Sequence, residues 1–234
     1  DRAYKAKRAA HPVGAPRSPG KLIDVSPLLE GTLTVGAAFT FLALVTGSLW
    51  AHEAWGTWAE GVYVEHAFGK ADALKYLNGY RSKVRNREPI VPPCGINRVP
   101  PQDMYFKGAL FINTLRSVVD DDARWWRMVR AFVDRFKYRT VATADVVRFF
   151  NKETGRDLTP LFDQYLRRAR IPLLELRFAE SGDSVAYRWR AGARGFAMPV
   201  KVGAKDRWQT IRPTAEWQTL ATPLTRDQFE VATD

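Results

Sequence analysis

Residues 52–60, HEAWGTWAE, and residues 104–110, MYFKGAL, decide how the rest of this 234-residue sequence is read. The first sets His52 and Glu53 side by side, two side chains able to ligate a metal, ahead of Trp55 and Trp58. A zinc-peptidase helix spaces two histidines four residues apart so that both imidazoles face one ion, with a glutamate after the first as general base. Here the fourth residue after His52 is Gly56, and the other histidines are His11 and His66. Local spacing therefore builds no metal site. By spacing alone, Tyr105 in the second stretch reads as an ordinary half-buried tyrosine.

Outward from these stretches the text turns helical after Glu60. Leu74, Leu77 and Tyr80 recur at helical spacing over residues 71–84, and the Pro-rich stretch 86–95 ends that helix. One helix is expected over residues 104–119, stopped by Asp120, Asp121 and Asp122, whose carboxylates favour the start of the next. That next helix, residues 123–137, carries Trp125, Trp126, Val129, Phe132, Val133 and Phe136 as one apolar stripe, a core face rather than a cofactor box. A further helix starts at Thr143 and closes at Gly155, and Thr159-Pro160 carries the cap and first-turn signature of a last helix through Arg168. At Ile171-Pro172 the period changes to two. Leu174, Leu176 and Phe178 alternate with Glu175 and Arg177, and Val185, Tyr187 and Trp189 with Ala186 and Arg188, a hairpin turning at residues 181–184. Further strands are expected at residues 198–202, 208–212 and 229–232.

Toward the N-terminus, residues 1–30 read as a basic irregular arm, and residues 31–51 as an apolar segment whose only ionisable neighbours are Glu30, His52 and Glu53. That run is long enough to span a bilayer, with Trp50, Trp55 and Trp58 suited to its far interface; the alternative is a buried core helix or strand pair. A span would make the protein membrane-associated or extracytoplasmic, as in a periplasm. The net charge of +11 is spread among acidic residues on helices and strands, as solvated faces are, and no nucleic-acid motif stands out, so no nucleic-acid partner is expected. The single cysteine, Cys94, excludes a disulfide framework and a cysteine-rich zinc site.

With the residues laid out, HEAWGTWAE resembles the segment of zinc aminopeptidases of the membrane alanyl type, gluzincin metallopeptidases, that supplies the third zinc ligand in an x-E-G-x-x-x-Y-x-E pattern. MYFKGAL resembles that family's Y-x-K-G-A motif. The likeness continues through residues 114–116, 136–138, 143–146, 154–158 and 162–166 to Ile171-Pro172, and is taken to cover about residues 50–234. It implies Glu53 as a zinc ligand and Tyr105 as the donor to the tetrahedral oxyanion of peptide hydrolysis. Lys107 and Gly108 complete the second motif, Gly108 allowing close packing at a helix start, and Glu60 fills a structural position. Each role has a physical sense: a carboxylate completes a His, His, Glu site that leaves one position for water, and a phenol aimed at the oxyanion stabilises charge present only in the transition state. The implied fold is α+β, the helical C-terminal part of a thermolysin-like catalytic domain (residues 52–170) followed by a small β-sandwich or sheet domain (residues 171–234). The implied cofactor is zinc, and the implied substrate of the intact enzyme is a peptide.

The chain also departs from that pattern. The family sets H-E-x-x-H eighteen residues before the glutamate matched by Glu53, which puts the histidines at positions 30 and 34 and the catalytic glutamate at 31. Those positions hold Glu30, Gly31 and Thr34, and no H-E-x-x-H occurs elsewhere. The segment that binds the substrate's free amine is missing as well. Inactivity of the chain alone is expected, with a missing N-terminal catalytic segment as partner and a truncated, recombined or designed origin. Residues 36–58 resemble instead a membrane segment of the haem-handling proteins of cytochrome c maturation, which implies a membrane-anchored haem module with Trp50, Trp55 and Trp58 as its aromatic face and His52 as the axial candidate. A third reading, a bare interaction scaffold, predicts exposed apolar surface on the helices of residues 104–170.

Overall fold

The computed structural model describes residues 49–93, 96, 98–204 and 207–232. Helix α1 (Leu49–Phe68) and α2 (Lys70–Asn78) form a hairpin turned by Gly69, whose φ of 94° lies where a side chain would be strained. A 3₁₀ turn (Gly79–Lys83), an irregular loop and a second 3₁₀ turn (Gln102–Met104) lead into α3 (Phe106–Val119). Then come α4 (Asp122–Phe136), α5 (Thr143–Thr154) and α6 (Thr159–Arg167). Six strands follow: β1 (Leu173–Phe178), β2 (Ser184–Arg190), β3 (Val200–Ala204), β4 (Arg207–Ile211), β5 (Gln218–Ala221) and β6 (Glu230–Val231). The fold is α+β, with helices preceding a separate β unit.

The three aspartates divide the work at one junction. Asp120 takes a left-handed conformation that ends α3, and Asp121 caps α4 by accepting from the Arg124 amide at 2.9 Å. Gly155, with φ 67°, ends α5. The expected cap at Thr159 is not formed: the helix is entered one residue earlier, from Leu158, and the Thr159 amide donates to the Asp157 carboxylate at 3.0 Å.

The helical core is aromatic. Trp55 stacks near Trp125, Phe132 and Phe150, with ring centroids 5.7–6.4 Å apart, and meets Trp58 edge-on at 5.4 Å. In the β unit, the antiparallel sheets β1-β2-β5 and β4-β3-β6 share a small core in which Tyr187 meets Val202 and Ile211. The hairpin register pairs Leu174 with Trp189 and Leu176 with Tyr187, so one face of β1 and β2 turns inward. Trp189 also joins the helical core, as do Ala193 and Phe196 of the next turn, and this overlap joins the two parts.

Several expectations change here. The text is helical from Leu49 on rather than from Glu60, so HEAWGTWAE lies inside one helix, which its one glycine, Gly56, does not break. Gly61, a little further along, sits where a Cβ would meet Leu77 at 2.7 Å, which explains a glycine mid-helix. Trp50, Trp55 and Trp58 are 1–2% exposed, packed in the helical core rather than presented as an aromatic surface. Residues 31–48 lie outside the described residues, as do the basic arm and Cys94; no described helix is long and apolar enough to cross a membrane. Among the described residues of 104–170, Tyr138 is the one large apolar side chain that is exposed, so the broad apolar surface expected on those helices is not there.

Candidate active site

The site begins with a contact between two small residues. Ala54 on α1 faces Gly108 on α3, where a Cβ on the glycine would stand 2.6 Å from the Ala54 Cβ. Only a glycine lets the helices approach this closely. Glu53 is the neighbour of Ala54, and Tyr105 precedes the first turn of α3, so the same contact brings the carboxylate of one beside the phenol of the other. Burial, and then the charge and hydrogen bond of Glu53, push the Tyr105 phenol above its ordinary pKa. Its hydroxyl therefore keeps its proton, and remains a donor, throughout the neutral range.

His52 sets a ring nitrogen beside the carboxylate. Its Nδ1 lies 3.2 Å from Glu53 Oε1, a close contact without hydrogen-bond geometry, and is buried without another partner. These residues do not fit a zinc ion by themselves: among the described residues no group of three His, Cys, Asp or Glu side chains gathers to hold a metal. One glutamate and its adjacent histidine fall short of the three protein ligands of a catalytic zinc.

The supports of Tyr105 are buried and polar. Asp103, two residues earlier, accepts from the amides of Arg85 and Asn86 at 2.7 Å each, pinning the loop to the entrance of α3. Lys107 is 2% exposed and donates from Nζ to the carbonyls of Arg168 and Ala169 at 3.0 and 2.7 Å. A lysine there caps the C-terminal end of α6, which favours a cation. Glu60, on the face of α1 that also holds Glu53, accepts from both Tyr76 and Tyr80 at 2.7 Å, so α1 and the chain after it are tied together. The sequence alone does not mark Asp103. Its signal is only a short carboxylate before a helix, which is common.

A groove of about 460 Å³ runs between α2, α3 and the β unit, and a polar pocket of about 290 Å³ lies at the α1–α4 end. Neither is lined by Glu53 or Tyr105. The polar pocket is crossed by ion pairs: Arg116 reaches Glu65 at 2.6 Å and Asp122 at 2.8 Å, and Lys201 reaches Asp120 at 2.6 Å.

This arrangement of helices and sheets has solved counterparts. Aminopeptidase A of Legionella pneumophila, solved in complex with aspartic acid, matches over 80% of this chain and 24% of its own, at 13% identity and a TM-score of 0.55. An M1 zinc metallopeptidase from Deinococcus radiodurans, solved with a Tyr-Ser-Ala substrate, matches over 61% of this chain and 34% of its own, at 19% identity and a TM-score of 0.48. The likeness is one of fold. This chain spans about a quarter to a third of the length of those proteins. No family model matches the sequence, and no curated protein matches it. The aminopeptidase resemblance of residues 50–234 thus has a structural counterpart at the level of fold in the Legionella protein, whereas the haem-handling resemblance of residues 36–58 gains no support from the comparisons.

Proposed function

We propose that this chain is the Glu53- and Tyr105-bearing part of a zinc aminopeptidase, with its trailing β unit, and that removal of N-terminal residues from peptides requires a further segment carrying H-E-x-x-H. The observation that carries this reading is the α1–α3 contact at Ala54 and Gly108, which sets a carboxylate beside a protonated phenol on an aminopeptidase-like fold. In the assembled enzyme zinc would supply the activated water, with Glu53 as one of its ligands. The Tyr105 hydroxyl would donate to the carbonyl oxygen of the scissile bond as negative charge grows there, an interaction stronger in the transition state than in the ground state. Lys107 and Gly108 would hold that hydroxyl in place. The chain offers no general base of its own and one of the three ligands, so alone it neither retains catalytic zinc nor turns over.

The test uses the whole chain with zinc and leucine p-nitroanilide, first alone and then mixed with a separately produced aminopeptidase N-terminal half that contains H-E-x-x-H. The chain alone is expected to be inert. The mixture is expected to hydrolyse the substrate, to slow by about a hundredfold or more with Tyr105→Phe, and to lose activity with Glu53→Ala. Turnover by the chain alone at the rate of the mixture would refute the reading, and so would a mixture indifferent to Glu53→Ala.

A further inference from the structure

The groove between α2, α3 and the β unit collects polar groups that the fold leaves incompletely paired. Asn86 Oδ1 is buried with no hydrogen-bond partner, and Asn86 lines this groove. Lys107 lines it too; its ammonium carries three N–H donors, of which the carbonyls of Arg168 and Ala169 take two. The Tyr165 hydroxyl, on the same wall, is already engaged by Thr114 and by the Met198 thioether at 3.9 Å, and so adds a polar but paired group. Leu77, Leu110 and Trp189 supply apolar surface between them. A cavity of about 460 Å³ lined by apolar side chains and a few polar ones has the size of a small-ligand site, which typically runs to roughly 300–1,000 Å³.

We propose that this groove binds the α-carboxylate of an N-acylated apolar amino acid, either free or as the C-terminal residue of a peptide. The chemistry follows from what is unpaired. A buried cation with one N–H to spare selects an anion; a buried carbonyl oxygen without a donor selects an N–H; and the walls select a branched apolar side chain between the two. A carboxylate and an acylated nitrogen on one carbon present that combination. Neither Glu53 nor Tyr105 lines the groove, and Lys107 is the one residue that this site shares with the aminopeptidase reading.

Lys107 also sets how the site responds to pH. Burial pushes its ammonium down to about 8, against the nearby Asp103 carboxylate, which favours the proton. The neutral amine keeps two N–H groups, enough for the two carbonyls, so the proton lost is the one the ligand would use. Affinity for the carboxylate should fall as pH rises through about 8.

Calorimetric titration of the whole chain tests the proposal with N-acetyl-leucine, with a pentapeptide ending in leucine, and with the C-terminal amide of each. Both free acids are expected to bind at pH 7, at least about tenfold more tightly than their amides, which lack the charge that Lys107 recognises. Tighter binding of the peptide assigns the groove to chain ends, and equal binding assigns it to free acyl amino acids. Lys107→Met should abolish the acid-over-amide preference, but it also uncaps α6. Leu110→Trp, on a half-buried wall, fills the groove instead and should remove binding of both acids while circular dichroism stays native. The proposal is overturned if neither acid binds at millimolar concentration, if acids and amides bind alike at pH 7, or if binding survives Leu110→Trp in folded protein.

Discussion

At Gly108 a single methyl group decides whether two helices can touch. The Cβ of an alanine there would stand 2.6 Å from Ala54 Cβ, well inside contact distance, and the atom it meets sits on a helix backbone that cannot swing away. Gly108→Ala is expected to cost about 1–3 kcal/mol by overpacking, even though alanine is the better helix former, and urea denaturation followed by circular dichroism would measure it. An unchanged or raised midpoint would mean that α1 and α3 do not meet there. The same residue shows how much of the site was legible beforehand. The motif containing Tyr105, Lys107 and Gly108 could be read from seven letters, because residue types at fixed short spacing are a property of sequence. That Gly108 meets Ala54, and that Lys107 gives two of its three N–H groups to the end of α6, could not be read, since both partners lie far away along the chain.

Between elements, buried polar side chains act as ties. Arg116, 9% exposed, joins α3 to α1 through Glu65 and to the start of α4 through Asp122, and lies 5.4 Å from the ring of Trp126. Arg116→Met leaves two carboxylates facing each other across that junction. The expected loss is about 2–3 kcal/mol, below the usual figure for a fully buried pair because Asp122 is half exposed, and a thermal melt would read it. The pH dependence has a definite sign. Hydrogen bonding from Arg116 holds the Asp122 carboxyl below its ordinary 3.8, so the contribution is present above that value and is lost as pH falls through the lowered one. In acid the wild type and Arg116→Met should therefore converge in stability. A gap that persisted undiminished at low pH would contradict this account. The junction was only partly legible: the run Asp120, Asp121, Asp122 marked a helix boundary, but which aspartate would cap α4 and which would bind arginine depends on where α1 lies.

Across the whole molecule, a buried polar seam is among the ties between the helical part and the β unit. Gln164 on α6 is 1% exposed; its Oε1 accepts from the amides of Gly192 and Ala193 at 2.7 and 2.8 Å, and its Nε2 donates to the Arg170 carbonyl at 2.7 Å. Gln164→Leu keeps the volume and leaves three backbone groups unpaired. A loss of about 3 kcal/mol is expected, with a lowered unfolding midpoint for the β unit and earlier proteolysis between α6 and β1. Coincident, undiminished unfolding of both parts would show that the seam does not depend on this side chain. The amino-acid sequence by itself determined where helices give way to strands, which faces are apolar, that Glu53 and Tyr105 carry the aminopeptidase-like motifs, and that no H-E-x-x-H is present, because periodicity and residue identity are local. Only the tertiary structure decided that Trp50, Trp55 and Trp58 are core, that Glu53 meets Tyr105 across a glycine contact, and that a groove with unpaired polar groups opens beside α3. Those outcomes depend on how helices distant in sequence pack, where many small contacts sum and no single residue spacing records the result.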